Sequence, residues 1–128
     1  LFTVDDLNHL KRGGRLSSSS AFFGTLLNIK PLCRVSSEGL IETFQKVNGR
    51  KKALQSLINY FIENQQDAAN YPIVVMDALC AEDNEFLVTE IKKIVGENAN
   101  IISQPIGPVI GSHCGSNVVG IGFHAKHR

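Results

Sequence analysis

The sequence lacks the features that distinguish nucleic-acid-binding, membrane-spanning and exported chains. Its 13 lysines and arginines stand against 12 aspartates and glutamates, so no excess of one charge favours nucleic acid or an acidic membrane as a partner. No apolar run approaches the roughly 20 residues of a membrane-spanning helix, and no segment has the pattern of a signal peptide. We therefore predict a cytoplasmic protein without a membrane span.

Cysteine is also scarce. Cys33, Cys80 and Cys114 are odd in number and widely spaced, with no CxxC pair. This pattern predicts neither a disulfide framework nor a zinc knuckle. We expect reduced thiols, and the sequence indicates no cofactor.

What the chain does contain is enough apolar sequence for a core. At 128 residues and 43% hydrophobic content, residues 1–128 have the size and composition of a single compact domain. The chain starts at Leu1 and proceeds directly into a helix signal, from which we predict a domain cut from a longer protein.

Helix signals open the chain. Thr3 and Asp6 have capping-box spacing, and Gly13 and Gly14 can end a helix, which predicts a helix over residues 4–12. Serines followed by apolar residues predict a second helix over residues 18–26.

The remaining periodicities predict a mixed α/β pattern. Alternating and apolar segments predict strands, and apolar residues at helical spacing predict helices. The expected order is strands over 27–35 and 40–46, a helix over 50–64, a strand over 73–76, a helix ending at Gly96, and strands over 101–104 and 118–124. The predicted fold class is α/β (α+β): a two-layer sandwich with a mixed sheet of five to six strands and helices packed on one face.

A glycine-rich run supplies the best site candidate. Five of the 11 glycines fall between Gly107 and Gly122, with His113 at the centre. We expect a loop whose backbone N–H groups, together with His113 and the adjacent Ser112, bind a carboxylate or phosphate. A turn histidine without a ligand is the equally simple alternative.

The sequence supports two other chemistries less well than anion binding. Cys114 activated by His113 would make a hydrolase or transferase nucleophile, but adjacent side chains in extended structure point apart. His113, Cys114, His124 and His127 match no usual zinc-ligand spacing, so we predict no metal site and no catalytic residue.

Lys46, Arg50, Lys51 and Lys52 form a local basic cluster at a strand end and helix start. Such clusters are usually solvated surface, but this one opposes the helix dipole. That opposition favours a docking role for an acidic partner. A regulatory interaction module therefore stays open as an alternative function.

Three motifs in order carry a family resemblance. They are the segment from Asp6 to Leu16 with its Gly13-Gly14-Arg15 sequence, the segment from Leu26 to Leu32, and the segment from Ile110 to Gly115 around His113. Together they resemble the carboxy-terminal half of the DegV family of bacterial fatty-acid-binding proteins, over nearly the whole chain.

The resemblance implies a non-enzymatic carrier of a long-chain fatty acid. This half would cover the acyl chain, and a missing amino-terminal domain would supply hydroxyl groups for the carboxylate. A partner fatty acid kinase related to dihydroxyacetone kinases would phosphorylate the bound acid.

The family's motif histidine, at the carboxylate end of the pocket, maps onto His113, and its GGR arginine maps onto Arg15; the other expected site residues are assigned from their position in the sequence alone. His113, Arg15 and Ser112 are expected at the carboxylate end, and Arg50, Lys51 and Lys52 in kinase docking. The residues expected to contact the acyl chain are Phe22, Phe23, Leu26 and Leu27.

Two departures bear on these expectations. Asn48 stands where the family often has an arginine on the kinase-facing surface, which leaves Arg50 as the candidate substitute. Gly115 is followed by Ser116 and Asn117 where the family commonly has Pro-Gly, although Asn tolerates left-handed backbone geometry.

Overall fold

The computed structural model describes residues 1–14 and 28–126. Within these ranges the chain forms six strands and four helices. In chain order they are β1 (Phe2–Thr3), α1 (Leu7–Arg12), β2 (Ile29–Val35), β3 (Ile41–Asn48), α2 (Arg50–Asn64), β4 (Ile73–Asp77), α3 (Ala81–Val95), β5 (Ile101–Pro105), α4 (Pro108–Cys114) and β6 (Val119–Gly122).

The described strands form one mixed sheet in the order β3-β2-β1-β6-β4-β5. β4 and β5 are parallel, with α3 as the crossover between them. The other neighbouring pairs are antiparallel. This arrangement confirms the predicted two-layer α/β sandwich with a mixed sheet.

α2 and α3 pack on one face of the sheet and form the larger core. α2 buries Leu57, Ile58 and Phe61, and α3 buries Leu87 and Ile91. These side chains meet apolar residues of the central strands, namely Leu32, Ile73, Val75, Val119 and Ile121. Burial of these apolar side chains is the main term that stabilises the fold.

α1 and α4 form a second, smaller core with each other. Val4, Leu10, Cys114 and Val118 are its buried members. Phe2 is among the partly buried side chains that pack against it. The sandwich therefore has a helix pair on one face and a separate helix pair at the edge of the other.

Most of the predicted elements are confirmed within one or two residues. They are the hairpin, the strands over 73–76 and 101–104, the helix over 50–64 and the helix ending at Gly96. The last strand is shorter than predicted, because only Val119–Gly122 pairs with β4 and β1. The helix predicted at 18–26 lies outside the described residues.

The start of the chain differs from the prediction. Thr3 is not a helix cap: it is fully buried in β1, and its hydroxyl donates to the carbonyl of Pro31 at 2.7 Å. The cap of α1 is Asp6, whose carboxylate accepts from the N–H of Asn8 at 2.8 Å. Two residues cannot carry a detectable strand pattern, and pairing on both sides decides their conformation.

A glycine allows β1 to pair closely with β6. A Cβ at Gly120 would lie 2.8 Å from the carbonyl oxygen of Leu1 and 2.9 Å from the Cβ of Phe2. Both separations are shorter than real side chains tolerate, so any larger residue would push β1 away from β6. Glycine is required at position 120 because the two strands pack closely there.

We predict that Gly120→Ala lowers the free energy of unfolding by roughly 2 kcal/mol, because the added methyl overpacks the β1–β6 contact. Urea unfolding followed by circular dichroism measures the change. Gly111→Ala is the matched control: nothing lies within 4 Å of its Cβ position, and alanine in a helix is favoured over glycine by about 0.5–1 kcal/mol. Equal stability of the two variants would contradict the prediction.

Candidate functional site

The sheet face opposite α2 and α3 carries an apolar groove with a volume of about 220 Å³. Side chains alternate along β6, so Val119 and Ile121 face the larger core while Gly120 and Gly122 face the groove. Because these glycines have no side chains, the groove reaches the backbone of the sheet. Phe2 and Met76 also line it.

α4 and the segment before it contribute further groove residues. Ile106, Ile110 and Cys114 line the groove beside the strands. Ile110 and Cys114 are four residues apart on α4, so they share one helix face. Ile110 remains 54% exposed, which leaves apolar surface available to a ligand or a second domain.

His113 lies on α4, and the predicted loop is wrong. The glycine-rich run forms a short helix over Pro108–Cys114. The N–H groups of Gly111 and Gly115 donate to the carbonyls of Gly107 and Gly111 at 2.9 and 2.8 Å. These N–H groups are therefore used inside the helix and are unavailable for an anion.

The side chains of His113 and Cys114 diverge because they lie on a helix, where consecutive residues project about 100° apart. The sequence analysis also expected them to diverge, but on the assumption of extended structure. Cys114 points to the groove and is 5% exposed. His113 is half-buried.

The ring of His113 lies against the end of α1. A Cβ at Gly13 would be 3.1 Å from Nδ1 of His113. The motif glycine and the motif histidine therefore meet in space. Arg15, the third expected member, lies outside the described residues.

His9 is a neighbour of this site that the sequence analysis missed. Its Nε2 lies 2.6 Å from the carbonyl oxygen of Ser112, and its ring is packed against Gly115. His9 and Gly13 are four residues apart and share a face of α1. That spacing was the only available signal, and it does not indicate a contact with α4.

Ser112 uses its hydroxyl within the helix. The Oγ donates to the carbonyl of Val109 at 2.8 Å, so in this rotamer the hydroxyl can only accept a hydrogen bond from a ligand. A carboxylate is itself an acceptor. A direct contact between Ser112 and a carboxylate stays a prediction that requires the hydroxyl to rotate.

The residues expected to contact the acyl chain lie in the segment 15–27, outside the described residues. They are Phe22, Phe23, Leu26 and Leu27. Their roles stay predictions. The described groove residues come from strands, from α4 and from the segments that flank them, and the sequence analysis assigned an acyl-contact role to none of them.

Burial makes the three thiols poor nucleophiles. Desolvation raises the pKa of the Cys33 thiol to about 11, and the hydrogen-bond contact with Thr43 opposes this only in part. Desolvation also raises the pKa of Cys80 and of Cys114. Thiolates are the reactive form, so these environments oppose the hydrolase or transferase alternative.

Arg50 lies at the centre of a hydrogen-bond network. Its guanidinium is 2.8 Å from Asp83 and 3.3 Å from Asp5, and it donates to the carbonyl of Asn117 at 2.6 Å. Two carboxylates offset a cation placed at the start of α2. Asn117 has a φ of 62°, the left-handed geometry that its residue type allows.

The neighbouring lysines differ from Arg50. Lys51 and Lys52 are exposed, as a docking surface requires, whereas Arg50 is half-buried in contacts within the chain. A docking role for Arg50, Lys51 and Lys52 stays a prediction, which the lysines fit better.

His124 is the remaining histidine within the described residues. His124 stacks on Tyr71 with ring centroids 4.2 Å apart, and its Nδ1 lies 3.1 Å from the carbonyl of Gln66. His127 lies outside the described residues. Within residues 1–14 and 28–126, no group of three or more His, Cys, Asp or Glu side chains is arranged to hold a metal ion.

None of the helices within the two described ranges is both long and apolar enough to cross a membrane.

Fold and groove together define a class: α/β sandwich domains with an apolar groove on one sheet face, bordered by a histidine-bearing helix. The family model described as "Uncharacterised protein, DegV family" matches residues 1–126. The chain belongs to the DegV family.

Individual relatives agree with this assignment. A DegV domain-containing protein of Clostridium perfringens is 39% identical over 122 residues, which are 95% of this chain and 42% of that protein. The crystal structure of a fatty acid binding DegV family protein from Streptococcus agalactiae is 34% identical, with a TM-score of 0.81 over 94% of this chain and 42% of the other.

A DegV family protein from Thermus thermophilus, described by its fatty acid binding, is 29% identical with a TM-score of 0.78, again over 94% of this chain and 42% of the other. The chain thus spans less than half the length of these relatives.

We predict that iodoacetamide alkylates Cys114 much more slowly at pH 7 than it alkylates the same cysteine in the urea-unfolded chain. Desolvation raises the pKa of Cys114, so the thiolate forms only at a higher pH than it does in a peptide. The alkylation rate should therefore rise as the pH exceeds the ordinary thiol pKa of about 8.5. Mass spectrometry of the Cys114 peptide measures the rate. Fast labelling of the folded chain at pH 7 would revive the nucleophile hypothesis.

We predict that Arg50→Met lowers the free energy of unfolding by about 2 kcal/mol, because Asp5 and Asp83 lose their shared partner. These groups are partly exposed, so the loss of stability is smaller than for a fully buried ion pair. Lys51→Met is the matched control and should change stability by less than about 0.5 kcal/mol. Urea unfolding of both variants tests this. An unchanged midpoint for Arg50→Met would show that the network contributes little.

Proposed function

We propose that this chain is a non-catalytic carrier domain that encloses the acyl chain of a long-chain fatty acid. The observation that carries the proposal is the apolar groove on the sheet face, bordered by the helix that bears His113. An amphiphile with an apolar tail and an anionic head suits this arrangement: the apolar walls would hold the tail, and His113, which does not line the groove, would meet the head at the α1–α4 end. The fatty acid binding of the Streptococcus agalactiae and Thermus thermophilus relatives supports the same ligand class.

The carboxylate lies at the α1–α4 end of the groove in this proposal. His113 is the donor for the carboxylate, with Arg15 as a second, charged donor and Ser112 beside them. Phe22, Phe23, Leu26 and Leu27 extend the apolar wall formed by residues such as Met76 and Ile110. A charge-assisted hydrogen bond to a carboxylate is worth about 1.5–3 kcal/mol.

A second domain completes the site. The relatives are more than twice as long as the matched region, and a groove open on one side needs another wall to bury an acyl chain. We propose that an amino-terminal domain of the same protein docks on this face and supplies hydroxyl groups for the carboxylate. This chain is then the carboxy-terminal, lipid-covering half.

The chemistry belongs to a partner in this proposal. A cytoplasmic fatty acid kinase related to dihydroxyacetone kinases phosphorylates the presented carboxylate, and the carrier contributes binding alone. The raised pKa values of the thiols support a binding role over covalent catalysis. Lys51 and Lys52 are the exposed cations that would dock an acidic surface of the kinase.

We predict that fatty acid copurifies near one equivalent with the longer protein that contains this chain, and in much smaller amount with the chain alone, because the second wall is missing. Lipid extraction and mass spectrometry measure both. His113→Ala in the longer protein should weaken fatty acid binding roughly tenfold through loss of the charge-assisted hydrogen bond.

His124→Ala is the matched control, because His124 stacks on Tyr71 and lies against the carbonyl of Gln66, and these contacts involve neither α1 nor α4. Tight binding by the chain alone, unchanged in His113→Ala, would contradict the assignment of the carboxylate end. Absence of any bound lipid from the longer protein would contradict the carrier function itself.

A further inference from the structure

α4 cannot be stable by itself. It has seven residues, well below the length at which an isolated helix persists in water. Its last carbonyls need partners from outside the regular pattern. The N–H of Gly115 donates to Gly111, and the next carbonyl, that of Ser112, receives its hydrogen bond from α1.

His9 is the donor to that carbonyl. The Nε2 to oxygen distance is 2.6 Å, and because a carbonyl can only accept, Nε2 must carry the proton. His9 therefore caps the C-terminal turn of α4 from a neighbouring helix.

Gly115 makes room for the ring. Its φ is +82°, a left-handed conformation that favours glycine. A Cβ there would lie 3.2 Å from Cγ of His9, closer than most side-chain contacts. The ring of His9 is thus confined between α1 and the end of α4.

The same face of α1 also contacts His113. His9 bonds the carbonyl of Ser112, and Gly13, four residues later, lies against the ring of His113. Two consecutive residues of α4 therefore contact α1 and its C-cap: Ser112 contacts His9, and His113 lies against Gly13. Any rotation or fraying of α4 would break the first contact and move His113 away from the second.

We propose that His9 is a positioning residue for ligand recognition: its hydrogen bond to Ser112 holds α4 in the orientation that directs His113 at the anionic headgroup. This inference rests on the proposed fatty-acid-binding function and assigns His9 no direct ligand contact. It predicts that His9 contributes to recognition of the carboxylate and not to burial of the acyl chain.

The test compares two probes of equal chain length, hexadecanoic acid and hexadecanol, on the longer protein that contains this chain. Displacement of a fluorescent lipid gives both affinities. His9→Phe keeps a ring and removes the donor, so it should weaken binding of the acid roughly 3- to 10-fold, the range of one hydrogen bond, and change binding of the alcohol less than twofold. His9→Gln retains a side-chain N–H donor and should restore most of the acid affinity.

A double-mutant cycle identifies the route of the effect. In a His113→Ala background, His9→Phe should not weaken acid binding further, because the residue that it positions is gone. Asn8→Phe, on an exposed position of the same helix, is the control for an added ring. Amide hydrogen exchange supplies a ligand-independent readout: His9→Phe should accelerate exchange of the Gly115 N–H and leave α2 unchanged.

Equal losses for acid and alcohol in His9→Phe would overturn the inference, since they indicate a general packing role. So would undiminished acid binding, additivity with His113→Ala, or unchanged exchange at Gly115. If the unmodified protein bound neither probe, the proposed function would fail as well. Binding of both probes without the His9 effect would remove this inference alone.

Discussion

The pairing of β1 with β6 is the contact on which the remaining architecture depends. β1 is only two residues long, yet it is the strand that joins β2 and β3 to β6, β4 and β5. Thr3 is buried there with its hydroxyl bonded to Pro31, and Gly120 allows the two backbones to approach. Without this strand, the described sheet would separate into two parts.

The same pairing creates the site. β1 leads through the Asp6 cap directly into α1, while α4 leads through Asn117 directly into β6. Because β1 and β6 are neighbours, the helices attached to them must also meet. The contact of His9 and Gly13 with Ser112 and His113 is therefore a consequence of strand order. Arg50 adds a second connection by bonding both Asp5 and Asn117.

Glycine serves two purposes in this chain that composition could not separate. In β6, Gly120 and Gly122 leave the floor of the apolar groove without side chains. At the end of α4, Gly115 provides a left-handed backbone and room for a ring. A glycine-rich stretch is typical of anion-binding loops, but here the N–H groups of Gly111 and Gly115 are hydrogen-bonded within a helix.

Local pattern was sufficient for the regular elements. α2, α3 and the β2–β3 hairpin follow from side-chain periodicity, because each is long enough to bury one continuous apolar face. β1 and α4 were not predictable in this way, since two and seven residues carry too little periodicity. Their conformations come from tertiary partners. His9 was missed for the same reason: its partner is 103 residues away in the sequence.

The sequence by itself determined the two-layer α/β class and the family, because these depend on periodicity and on ordered motifs along the chain. Only the tertiary structure decided that the segment around His113 is a helix, that Arg50 is part of an internal network, and that His9 supports the end of α4. Those features depend on which distant segments become neighbours, and backbone pairing through a two-residue strand sets that arrangement.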